Sequence, residues 1–102
     1  MRYQLVLQFP ASSIKDYDAI IKFEEAIIGT LGNLGRVDGH DAGSGEMNIF
    51  ILTDDPALAF ARVKQVPGTM GLMRVLKVAY REVGQDEFTI LHPAGLASFA
   101  IA

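Results

Sequence analysis

The chain has no cysteine in its 102 residues, which excludes disulfides, thiolate metal sites and cysteine nucleophiles. Nor does it contain an apolar run near the roughly 20 residues that a membrane-crossing helix needs. The first ten residues carry a single basic side chain and alternate in character, unlike a secretory leader. A basic footprint is missing too. Net charge is −3, and Lys64, Arg74, Lys77 and Arg81 are too scattered to form a nucleic-acid patch. The expectation is a cytoplasmic protein bound to neither membrane nor nucleic acid.

Cofactor motifs are lacking as well. The glycines between Gly32 and Gly45 precede a strand-like run rather than opening a helix, and no Gly-Lys-Ser/Thr follows them, so they match neither a dinucleotide fingerprint nor a P-loop. The segment from Asp38 lacks the alternating oxygen ligands of an EF-hand. Ser12, Ser13, Ser44 and Ser98 have no nucleophile-elbow context, and Ser12 and Ser13 suit helix caps instead. Two histidines, His40 and His92, can form a facial metal set with a carboxylate, but the sequence does not bring them together. No metal and no cofactor are assigned.

What is present reads as one folded domain over residues 1–102, half hydrophobic and 21% charged, long enough to bury a core without cross-links. Arg2 to Phe9 alternates as a strand, with Tyr3, Leu5, Leu7 and Phe9 on one face and Gln4 and Gln8 on the other. Ile14 to Leu31 reads as a helix ending at Gly32, with Tyr17, Ile20, Ile21, Phe23, Ile27, Ile28 and Leu31 in one arc. Glu24 falls inside that arc. Either the helix is rotated or Glu24 reaches the rim by extending its side chain, or it is a carboxylate in an apolar setting, a candidate acid, base or partner for His40 or Arg36.

A short strand, Arg36 to Asp41, and a turn around Ala42 to Gly45 lead into Met47 to Thr53, whose near-continuous apolar character fits a central strand covered on both sides. The two strands form a hairpin. Asp55 then suits an N-cap and Pro56 the first position of a helix running to Val66, stopped by Pro67-Gly68. Met73 to Val83 predicts another strand, Gly84-Gln85-Asp86 a turn, and Phe88 to Leu91 an extra strand. Beyond Pro93 the tail bears Leu96, Phe99 and Ile101, which require cover from the same chain or from a second copy.

The order strand, helix, strand, strand, helix, strand predicts an α+β, ferredoxin-like βαββαβ domain. It has an antiparallel sheet, two helices on one face, and an extra C-terminal strand or docked tail. The bare face, carrying Gln4, Val6, Gln8 and Lys77, is open to a ligand, to the tail or to a homodimer partner.

Chemistry concentrates between Asp38 and Glu46. Asp38 and His40 lie two apart, so on a regular strand they share a face, and a carboxylate can orient a histidine base. Asp41 and Glu46 flank the turn beside them. The same four residues, Asp38, His40, Asp41 and Glu46, also read as a polar hairpin corner or binding edge.

By the fold pattern the chain resembles ferredoxin-like domains, among them dimeric α+β barrel oxygenases and ACT-type regulatory modules. The run Gly-Ser-Gly-Glu-Met-Asn-Ile-Phe-Ile-Leu-Thr-Asp-Asp-Pro, Gly43 to Pro56, resembles one in small uncharacterised bacterial proteins, some grouped with toxin-immunity proteins. That resemblance carries no catalytic residues; the acidic balance and the absence of a catalytic set lead to the expectation of a non-enzymatic binding module, an immunity-type or regulatory partner protein whose acidic corner Asp38, Asp41 and Glu46 faces a basic protein. The alternative is a small enzyme or ligand binder of the dimeric barrel type, using His40 as base with Asp38 and Glu24.

Overall fold

A computed structural model describes residues 1–101. The alternating N-terminal segment forms strand β1 (Tyr3–Pro10), and the hairpin expected around Gly45 joins β2 (Gly35–Gly43) to β3 (Glu46–Thr53). Ser44 and Gly45, both at positive φ, make the tight turn whose twist matches that of the paired strands. With β4 (Lys77–Glu82) and β5 (Thr89–His92) the strands build one antiparallel sheet ordered β2-β3-β1-β4-β5. β1 and β3 are interior, as the two-sided apolar run of β3 requires. The fold is α+β with its helices on one face, consistent with a ferredoxin-like domain. β5, added outside β4, makes strand count and order differ from the four-stranded arrangement.

Register assigns the two faces. Leu5, Leu7 and Phe9 lie opposite Ile51, Ile49 and Met47, and all six are buried in the helix-side core. The other face carries Gln4, Val6 and Gln8 opposite Leu52, Phe50 and Asn48 on β3 and opposite Arg81, Ala79 and Lys77 on β4.

The first helix, α1 (Tyr17–Leu31), begins three residues later than its hydrophobic pattern implies. Ser13 bonds back to the Pro10 carbonyl at 2.5 Å within a 3-10 turn, so it is committed locally. Asp16 caps the helix instead, accepting from the Ala19 amide at 2.9 Å. Only the stripe Ile20, Phe23, Ile27 and Leu31 is buried. Tyr17 and Ile28, expected in the same arc, are 64% and 55% exposed.

The second helical segment is split. Asp55 caps α2 (Pro56–Val63) by accepting from the Leu58 amide at 3.1 Å, with Pro56 in the first turn as expected. The chain then starts a separate short helix, α3 (Gln65–Thr69), which contains Pro67 and Gly68 rather than stopping before them. Pro67 lies in its first turn, where a missing N–H breaks no intrahelical bond. The strand expected from Met73 is also shorter. Leu72 and Leu76 are both buried and joined by a backbone bond of 2.9 Å from the Leu76 amide, a helical spacing that precludes extended pairing until Lys77.

The C-terminal tail docks on its own sheet. Gln8 Nε2 donates to the Ala100 carbonyl at 3.0 Å, and Phe99 meets Phe88 edge to face at 4.9 Å. The apolar tail that suggested a homodimer is therefore used within one chain. Among the described residues no helix is long and apolar enough to cross a membrane.

One close approach fixes the start of β2. A Cβ on Gly35 would lie 2.5 Å from the Leu52 carbonyl oxygen, inside a paired ladder that cannot yield easily. Gly35→Ala is expected to destabilise the protein by about 1–3 kcal/mol, the usual cost of overpacking. Chemical denaturation checks this, and an unchanged midpoint would show that β2 shifts freely.

Candidate functional site

β2 does not continue its alternation. A bulge between Val37 and Gly39 interrupts its register with β3, and Gly39 adopts φ 114° there, a conformation that L side chains seldom enter. Before the bulge Val37 stands opposite Ile51, and after it His40 stands opposite Ile49, both on the helix side. Asp41 stands opposite Asn48 on the other face, and Asp38 lines a cavity there with Gln4, Leu52 and Arg81. The expectation that Asp38 and His40 share a face is thus corrected: the extra residue puts them on opposite sides of the sheet.

His40 has another carboxylate. Its Nδ1 lies 2.5 Å from Glu24 Oε1, with side-chain exposures of 26% and 13%. Tyr17 approaches the imidazole edge-on, ring centroids 6.1 Å apart. The apolar-arc position of Glu24 is explained by this bond: α1 lies against β2 with a carboxylate and an imidazole closing their shared margin. A carboxylate on Nδ1 fixes the tautomer and leaves Nε2 as the free nitrogen. That geometry suits a general base, and it equally suits a clasp between a helix and an edge strand.

Asp38 and Asp41 are exposed and Glu46 is half-buried where β3 begins. None of the three is in an ion pair among the described residues. At the other end of the sheet His92, on β5, bonds through Nε2 with the Met73 carbonyl at 3.0 Å and packs near Phe60. His40 and His92 therefore sit on opposite edge strands, which removes the facial metal arrangement. No cluster of three metal-ligating side chains occurs among the described residues.

Three surface cavities of about 400 Å³ among the described residues include neither Glu24 nor His40 in their linings. One is an apolar groove between α1 and α3, bounded by Phe23, Val66 and Met70. The two others share Arg81, a residue the sequence pattern treated only as part of a sparse basic set. Its Nε donates to Gln4 Oε1 at 2.9 Å and its guanidinium lies 4.7 Å from the Phe88 centroid. The signal that could have found it is cross-strand: once β1 and β4 are paired, Gln4 falls opposite Arg81. Nearby, Arg2 pairs with Glu82 at 2.6 Å, and that hydrogen bond raises the Arg2 guanidinium above its ordinary range. Both side chains are exposed, so the pair contributes little to stability.

A buried amide pair completes the open face. Gln8 Nε2 donates to Asn48 Oδ1 at 2.9 Å beneath the tail, while Asn48 Nδ2 is buried with no partner among the described residues. Compared with known proteins, the chain matches no family model, no curated protein and no solved structure.

Proposed function

We propose that the chain is a binding module of the ferredoxin-like type, with β5 and the tail as additions, and that it receives a basic segment of a protein partner along the acidic side of β2. An immunity-type or regulatory partner protein is the corresponding role. The observation that carries this reading is that Asp38 and Asp41 stand exposed on the same side of an edge strand, without ion pairs among the described residues, beside the Glu46 end of the hairpin. Carboxylates so placed steer an oppositely charged partner and fix its register more than they add raw affinity. An edge strand also offers backbone groups to an extended segment.

The test uses a defined probe, an eight-residue peptide alternating lysine and threonine. It is expected to perturb the amide resonances of Asp41 to Glu46 and to bind more weakly as salt is added. Replacing both charges, Asp41→Asn with Glu46→Gln, should weaken it by about tenfold, or 1.4 kcal/mol. Perturbations confined to another face, or affinity indifferent to the double replacement, would remove the reading.

A second reading is supported by the Glu24–His40 bond alone: a small enzyme or ligand binder in which Glu24, rather than Asp38, orients His40 as the base.

A further inference from the structure

The open face of the sheet is covered unevenly. The tail crosses it over Gln8, near one end of β1. At the other end a basin of about 400 Å³ stays open, lined by Gln4, Asp38, Leu52, Arg81, Gln85 and Asp86, with Val83 and Gly84 in the wall. Four adjacent strands supply its floor and sides, in the order Asp38, Leu52, Gln4, Arg81.

Arg81 is held from two sides. Gln4 fixes its Nε and Phe88 lies against the guanidinium, yet neither terminal nitrogen has a hydrogen bond among the described residues. No carboxylate among them lies within 4 Å of it. A planar fork fixed in this way is suited to a bidentate carboxylate. Asp38 lines the far side and is exposed without an ion pair among the described residues, so the basin has a cationic end and an anionic end. Asp86, on the turn after β4, adds a second carboxylate that disfavours a bare dianion. Leu52 and Gln4 lie on the strands between the two ends, and Val83 and Gln85 add apolar and amide surface to the lining.

The spacing selects the ligand. Asp38 and Arg81 are three strand intervals apart, about 14 Å at the backbone. The Arg81 guanidinium is held between Gln4 and Phe88, and a charge-assisted hydrogen bond of about 2.8 Å at each end leaves about 9 Å for the ligand itself. A free amino acid is too short to touch both. An extended chain of three residues covers about 10 Å. The neighbouring half of the same face already holds an extended segment, the tail, through a glutamine side chain bonded to its carbonyl.

We propose that this basin binds a short free peptide of about three residues, its C-terminal carboxylate on Arg81, its ammonium group on Asp38, and its backbone against the glutamines. The proposal shares Asp38 with the basic-partner reading but does not use Asp41 or Glu46, the two residues on which that reading is tested.

Trialanine, followed by amide chemical shifts, is the probe. It is expected to move the resonances of Gln4, Asp38, Leu52, Arg81 and Gln85, and to bind about tenfold more tightly than its N-acetyl form, its C-terminal amide or free alanine. Arg81→Gln should weaken trialanine about tenfold while leaving the C-terminal amide form unaffected, and Asp38→Asn should do the same with the N-acetyl form spared. Arg81→Lys, which keeps the charge without the fork, should fall between. Asp41→Asn with Glu46→Gln should leave trialanine binding unchanged, so failure of the basic-partner reading does not carry over. Equal binding of the blocked peptides, shifts confined to other faces, or no shifts at millimolar peptide would overturn the proposal.

Discussion

Phe23→Ala is expected to remove about 3–5 kcal/mol of stability, a large part of the about 5–15 kcal/mol that holds a domain together. Phe23 is fully enclosed and stacks on Phe9 of β1, ring centroids 5.3 Å apart. Its loss opens a void between α1 and the middle of the sheet, where a strand paired on both sides cannot move in to fill it. Tyr17→Ala and Ile28→Ala provide the contrast. Both lie in the apolar arc of α1 when only the sequence is considered, yet both are largely exposed, and each should change stability by about 0.5 kcal/mol or less. Urea denaturation of the three variants is the measurement. Comparable losses at all three positions would mean that α1 is rotated from the orientation described.

The second large effect is at Glu24. Replacing it by leucine takes the carboxylate from a mostly buried histidine, and a hydrogen bond of this charged kind contributes about 1.5–3 kcal/mol. His40→Leu should cost a similar amount, whereas Glu24→Leu with His40→Leu should cost clearly less than the sum, with coupling of about 0.5–3 kcal/mol. The reason is that the double variant leaves no orphaned polar group. The cycle measures the bond in either role; weak coupling would show that the Glu24–His40 bond does not hold α1 to β2.

Most of the architecture was legible because it follows from period and punctuation. The alternation of β1, the two-sided apolar run of β3 and the Asp55-Pro56 helix start each specify their element locally, and each lies where those signals place it. The candidate site was less legible, for one physical reason. A bulge inserts a residue without changing composition, so the assumption that Asp38 and His40 share a face fails at Gly39, while Glu24, on a distant helix, takes the place given to Asp38. Glu24 itself was visible as an anomaly in its helix, but its partner could not be chosen between His40 and Arg36 without knowing how α1 crosses β2. Arg81 was hidden for the same kind of reason. Its meaning depends on Gln4, which only strand pairing brings beside it.

The place of β1 also bears on how the chain is made. Tyr3 pairs with Thr53 on one side and with Glu82 on the other, so β1 is made well before either of its neighbours. Such pairing over long stretches of chain slows folding. Until residue 82 has emerged one flank of β1 is bare, and until Ala100 has emerged Gln8 lacks the carbonyl it donates to. Assembly of the sheet therefore waits on later segments: β1 holds the middle place among the five strands, and the stretch at Ala100 closes part of the face that β1 lays down.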